Sequence, residues 1–156
     1  MKEKLQEIQE KMIAKGWTLS TAESCTSGRI AALITTISGA SGYFQGGIVA
    51  YQDRLKVQYL GVRQEDIDQH DVVSQIVVEQ MVKGACQMFD TTFAIASTGY
   101  AGDGMNGIPA GTIWIAWGSR KETHSLCLHQ DEGRESNTQH AVEEVIRRFH
   151  EWAMGL

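Results

Sequence analysis

At 156 residues the chain can bury roughly 68–70% of its unfolded surface as one domain, and 42% hydrophobic residues with a single proline, no repeat and no low-complexity tract describe an ordinary globular protein. The formal net charge of -5, from 14 Lys+Arg against 19 Asp+Glu, argues against general nucleic-acid or anionic-membrane binding, which needs a concentrated basic surface. Cys25, Cys86 and Cys127 lack the paired spacing of a zinc or redox site, and neither a signal-peptide core nor a bilayer-length apolar run is present, so the expectation is a cytoplasmic protein with reduced thiols and one domain over residues 1–156.

Leu5, Ile8, Met12 and Ile13 form the stripe of a first helix, closed by Gly16 where a left-handed residue belongs. Residues 17–21 alternate as a half-buried strand does, and Ile30, Leu33, Ile34 and Ile37 repeat with the spacing of one helix face. The stretch between them, Thr21-Ala22-Glu23-Ser24-Cys25-Thr26-Ser27-Gly28-Arg29, is a strand-to-helix turn, whose first amides lack intrahelical partners and can hold an anion or oxyanion. Ser24 is a candidate nucleophile there, although a Ser/Thr-rich turn taken alone is a helix cap more often than a catalyst, so Ser24, Thr26 and Ser27 could be caps only. Cys25 could be acidified at a helix start or be a small buried residue.

Residues 44–51 read as a second strand with the apolar run of a buried one. Asp53 can cap a short helix that Gly61 ends. Lys56 then falls in a first helical turn, where the helix dipole and partial burial could lower its pKa and let it spend more time as a neutral base; position alone favours a solvated surface lysine. Residues 65–69 suggest a short helix or a turn, and Ser74 caps a longer helix with the stripe Val78, Met81, Val82, Ala85 and Phe89. Residues 93–96 form a central strand running into a glycine-rich loop, 97–107, that lets backbone approach a ligand. Residues 111–117 and 123–128 predict an antiparallel hairpin, and Val142, Val145, Ile146, Phe149, Trp152 and Ala153 a closing helix after a polar segment that holds Arg134. The fold expected from this alternation is a three-layer α/β/α sandwich with a mixed, mostly parallel sheet and one antiparallel hairpin.

Neither a phosphate loop of the Gly-x-x-x-x-Gly-Lys-Ser/Thr type nor a dinucleotide fingerprint occurs, and the five histidines show no helix-face pairing or link to carboxylates. Ser24 is outside any Gly-x-Ser-x-Gly elbow; a serine-histidine-acid triad stays open, but Lys56 is the base with a stated reason. A Ser–Lys pair can perform acyl transfer, with Tyr51 relaying or orienting the proton.

Thr21-Ala22-Glu23-Ser24-Cys25-Thr26-Ser27-Gly28, Gly47-Ile48-Val49-Ala50-Tyr51 with Lys56 and Leu60-Gly61-Val62, Thr98-Gly99-Tyr100-Ala101-Gly102, and Pro109-Ala110-Gly111-Thr112-Ile113-Trp114 closely resemble the CinA C-terminal domain family, in order and over nearly the whole chain. That family includes bacterial amidohydrolases that convert nicotinamide mononucleotide to nicotinic acid mononucleotide and ammonia. The resemblance implies Ser24 as nucleophile, Lys56 as base and Tyr51 as their partner. It further implies Cys25, Thr26, Thr98, Gly99 and Arg134 as substrate-binding residues, with Arg134 meeting the phosphate, a job that suits a guanidinium fork. No metal or cofactor is expected, the partner is a small pyridine nucleotide, and self-association is suggested. The chain departs from the family pattern at Ser27, at Ser74-Gln75-Ile76, at Tyr100 and Asp103, and at Thr138, where a second arginine is usual. Those departures leave two alternatives: a non-catalytic or regulatory nucleotide-binding protein of the same fold, or an amidase for another small carboxamide.

Overall fold

Five strands form one sheet in the computed structural model, which describes residues 1–156: β1 (Leu19–Glu23), β2 (Phe44–Val49), β3 (Phe93–Tyr100), β4 (Thr112–Gly118) and β5 (Thr123–His129), in the order β2-β1-β3-β4-β5. β1 pairs in parallel with both β2 and β3, while β4 runs antiparallel to β3 and β5 antiparallel to β4. Four of the five strands therefore point one way, and β4 and β5 are the expected hairpin. The helices are α1 (Lys2–Lys15), α2 (Arg29–Ile34), α3 (Asp53–Leu60), α4 (Gln64–His70), α5 (Gln75–Phe89) and α6 (Arg134–Met154), with a short 3-10 turn at Ala40–Gly42. No helix is long and apolar enough to cross a membrane.

The two faces of the sheet follow from the period of two along each strand. Odd-numbered Leu19, Ile95, Ile113 and Ile115 meet Leu5, Ile8, Met12, Ile30, Val142 and Phe149 of α1, α2 and α6. Even-numbered Ala22, Ala94, Ala96 and Ala116 meet Val78, Met81, Val82 and Ala85 of α5, with Leu60 and Ile67 from α3 and α4 behind. Alanines on that face leave room for α5 to lie close, and α5 in turn lies close to α3: a Cβ built on Gly84 would stand 1.9 Å from the Leu60 carbonyl oxygen. The result is the three-layer α/β/α sandwich.

Chain order reverses at β1, since α2 carries the chain outward to β2 and the α3–α5 segment brings it back past β1 to β3. Ligand crevices of open α/β sheets lie at the carboxyl ends of strands beside such a reversal, which here means the ends of β1 and β3.

Several boundaries differ from the sequence expectations. β1 reaches two residues beyond 21 and is buried throughout, because strands flank it on both sides and helices cover both faces, so the turn begins at Ser24. α2 stops at Ile34 and Thr35 follows as its C-cap, short of Ile37. β2 is a sheet edge whose residues alternate between half-buried and exposed, not a buried run. Gln52, not Asp53, holds the N-cap of α3, and no side chain bonds there. Residues 97–100 belong to β3 instead of the loop, since β4 pairs with them through Tyr100. Arg134 is the first residue of α6 and not part of a preceding segment.

Candidate active site

The turn after β1 is held from behind by a buried carboxylate. Glu23, only 1% exposed, accepts at Oε1 from the Thr26 hydroxyl (2.6 Å) and the Ile30 amide (2.9 Å), and at Oε2 from the Ala31 amide (3.1 Å). Gly28 occupies the N-cap of α2 and has no side chain to offer, so the last residue of the strand supplies the cap. Three donors on one ionised group make its burial tolerable. Thr26 Oγ1 also lies 2.7 Å from Ser97 Oγ, and the Ser24 amide donates to the Ser97 carbonyl at 3.1 Å. Backbone bends sharply here, with Ser27 at φ 49° and Gly28 at φ 90°, a conformation glycine adopts without penalty. Neither the Cys25 nor the Thr26 amide donates to a backbone carbonyl.

Lys56 is the unusual cation of the molecule. It is 1% exposed, and its Nζ donates to the Tyr51 carbonyl at 3.2 Å and stands 3.9 Å from Asp53 Oδ1. Burial lowers its pKa below the ordinary 10.5, against a smaller upward pull from Asp53 and then Cys25. Tyr51 contributes its carbonyl to this arrangement, while the residue as a whole is 56% exposed at the mouth of the cleft. The Cys25 thiol is pushed up to about 12, chiefly by burial, which disfavours the thiolate.

A cleft of about 290 Å³ collects these groups at the carboxyl ends of the strands, with Ser24, Cys25, Tyr51, Lys56, Thr98, Gly99 and Arg134 all on its wall. Thr26 is absent from that wall, since its hydroxyl is turned inward to Glu23 and Ser97. Thr98 Oγ1 donates to the Val72 carbonyl at 3.0 Å. Gly99 sits against β4 so closely that an added Cβ would lie 2.6 Å from Ile113 Cγ1. At the mouth, the Arg134 guanidinium is 3.6 Å from Asp103 Oδ2 and lies over Gly102, where a Cβ would come within 2.5 Å of it.

Sequence reasoning missed three residues that shape the site. Glu23 and Ser97 form the brace behind Ser24, and nothing in local spacing announces a strand residue capping a helix seven positions later. Asp71 is the third: at φ 74° it accepts from the Tyr100 hydroxyl (2.7 Å), the Asn106 side chain (2.9 Å) and the Val73 amide (3.0 Å), tying the loop past β3 to the start of α5. Burial, and then this bond to a carboxylate, push the Tyr100 phenol up to about 12. Tyr100 thus points its bulk at Asp71.

Residues 1–153 match the sequence profile described as the CinA C-terminal domain. A nicotinamide-nucleotide amidohydrolase, PncC, of Escherichia coli K12 is 34% identical over 151 residues, 92% of each chain. A CinA-like protein of Shewanella baltica is 43% identical over 125 residues, 79% of this chain but only 30% of the relative, so the chain spans under a third of the curated CinA-like relatives it matches. Among solved structures, a competence-damaged protein (CinA) superfamily member from Klebsiella pneumoniae superposes with a TM-score of 0.93 at 32% identity, covering 99% of this chain and 98% of that one. A competence damage-inducible protein A from a second Klebsiella pneumoniae strain gives 0.91 at 34% identity, over 96% and 94%. With the profile spanning almost every residue and a relative of matching length above 30% identity, the chain belongs to the CinA C-terminal domain family.

Proposed function

We propose that this chain is a metal-independent amidohydrolase of the nicotinamide-nucleotide type, cleaving the carboxamide of nicotinamide mononucleotide through an acyl-enzyme on Ser24, and that residues 1–156 form its catalytic unit. The observation that carries this reading is the buried Lys56, its pKa lowered by desolvation, on the wall of the same cleft as the nearly buried Ser24. A lysine whose pKa is lowered by burial spends more time neutral and so takes a hydroxyl proton more readily than an exposed one does. Support for the substrate class comes from the amidohydrolase relative, which the chain matches along its full length.

In this reading Lys56 Nζ takes the Ser24 proton as Oγ forms a bond to the carboxamide carbon. The oxyanion forms beside the amide of Cys25, which lines the cleft and has no carbonyl acceptor of its own. The C–N bond then breaks as the Lys56 ammonium returns its proton to the leaving nitrogen, releasing ammonia and a Ser24 ester. Water, deprotonated by Lys56, attacks the ester; the acyl C–Oγ bond then breaks as the Lys56 ammonium returns that proton to Ser24 Oγ, freeing the acid, which ionises to the carboxylate, and restoring the enzyme. Tyr51 holds Lys56 in place through its carbonyl, 3.2 Å from Nζ.

Ammonia release from nicotinamide mononucleotide, measured for the wild type and Ser24→Ala, tests the assignment. Turnover in the wild type that falls at least about a thousandfold in the variant is expected for loss of a nucleophile. Equal rates remove Ser24 from the mechanism. Binding without turnover marks a nucleotide-binding member of the family, and turnover only with other carboxamides marks a different amidase.

A further inference from the structure

A second hollow, about 450 Å³, adjoins the cleft. The two share Cys25, Tyr51 and Arg134, and the hollow extends beyond them to Arg29, Glu135 and Thr138. Together the two volumes fall in the range of about 300–1,000 Å³ usual for ligand sites. Two guanidiniums from different elements, α2 and α6, therefore face one space beside the reacting serine.

They are not equivalent. Arg134 already has Asp103 at 3.6 Å, so part of its charge is answered within the protein. Arg29 takes part in no ion pair; its one side-chain bond is from Nη1 to the Thr26 carbonyl at 3.2 Å, which leaves the remaining N–H donors of the fork and the whole positive charge uncommitted. Thr138 adds no charge and spends its hydroxyl on the Arg134 carbonyl at 2.7 Å. Glu135, on the same wall, repels anions and makes the uncommitted cation the more necessary.

Resting on the amidohydrolase reading, we propose that this hollow receives the phosphate monoester of the substrate and that Arg29, alongside Arg134, is the residue that selects a phosphorylated ligand over its uncharged counterpart. A guanidinium offers paired N–H donors matched to phosphate oxygens. The carboxamide then lies toward Ser24 and the phosphate toward α2, the two ends of one ligand spanning the shared wall at Cys25 and Tyr51.

Calorimetric titration of the full chain with nicotinamide mononucleotide and with its dephosphorylated riboside tests the proposal, in wild type, Arg29→Gln and Arg29→Lys, with ammonia release followed in parallel. The expected result is that Arg29→Gln weakens mononucleotide binding about tenfold or more and leaves the riboside within about twofold, that Arg29→Lys falls between, and that KM for the mononucleotide rises in Arg29→Gln while kcat holds. Mononucleotide binding that is unchanged in Arg29→Gln overturns the proposal. So do a wild type that binds both ligands equally or neither, and a variant that loses both ligands in parallel. Phosphate-dependent binding lost in Arg29→Gln but with no ammonia released from the wild type supports the hollow's assignment while removing the amidohydrolase reading. Ammonia release with equal KM for both ligands does the reverse.

Discussion

Replacing Glu23 by glutamine changes one heavy atom and should cost much of the protein's stability. In the wild type both carboxylate oxygens accept, Oε1 from Thr26 Oγ1 and the Ile30 amide and Oε2 from the Ala31 amide. A glutamine can keep its oxygen toward Thr26 and Ile30, but its NH2 then faces the Ala31 N–H, donor against donor, at 1% exposure. One charge-assisted bond, worth roughly 1.5–3 kcal/mol, is lost outright, and the other two weaken because ionised acceptors bind about twice as strongly as neutral ones. The expected loss is about 2–4 kcal/mol, or roughly 5–15 °C in midpoint for a chain of this size. Urea and thermal unfolding of Glu23→Gln against wild type measure it. Because the brace runs on through Thr26 and Ser97 to the Ser24 amide, kcat for ammonia release should fall while KM changes little. A variant within about 0.5 kcal/mol of wild type, the scatter usual for surface substitutions, would show that the carboxylate is dispensable and refute the account of the turn.

Lys56→Met should abolish turnover yet raise the thermal midpoint, by roughly 2–4 °C for each kcal/mol recovered, because it removes a charge whose desolvation is incompletely repaid by Asp53 at 3.9 Å. Since burial holds the folded pKa below 10.5, the unfolded chain binds the extra proton between the folded value and 10.5. Wild-type stability therefore gains with rising pH through that window and this contribution is lost as pH falls through it; a pH series of melts should show the slope vanish in Lys56→Met. Below that window kcat/KM of the wild type should climb with pH toward the folded Lys56 pKa as the base becomes neutral, and level off above it. Gly84→Ala drives a methyl to 1.9 Å from the Leu60 carbonyl and should destabilise by about 1–3 kcal/mol, as overpacking does, read from the urea midpoint; an unchanged midpoint would mean that α3 and α5 can separate freely. With its thiol at about 12, Cys25 should resist alkylation at pH 8 in the native protein and react at the free-thiol rate once urea is added; rapid native labelling traced to Cys25 by peptide mapping would refute its desolvation.

Elements with strong local signals were legible from residues alone. The stripe of α1 and its left-handed Gly16, φ 67°, follow from a 3.6-residue period and a missing Cβ. The Ser74 cap, whose side chain accepts from the Val77 amide, follows from helix-end chemistry, and the β4–β5 hairpin from two strand-like runs about a polar turn. Boundaries slipped where pairing partners decided them. Glu23 and residues 97–100 read as turn or loop because they are polar and glycine-containing, but strand neighbours on either side recruited them into the sheet. β2 read as buried because Ile48, Val49 and Ala50 are apolar, and only the strand order puts it at an edge.

The candidate site divides in the same way. Sequence by itself determined that a polar strand-to-helix turn carries Ser24, that a lysine stands in the first turn of a following helix, and that an arginine precedes the last apolar stripe, all of them local facts of residue type and spacing. Tertiary structure alone decided that Lys56 loses its water, that Thr26 turns away from the cleft to brace Glu23 and Ser97, that Tyr51 acts on Lys56 through its carbonyl, and that Asp103 answers Arg134 while Arg29 stays unpaired. Desolvation and charge pairing depend on which distant segments arrive beside a group. Here they arrive only because the chain leaves β1 in one direction, returns past it to β3, and lays α5 over the join.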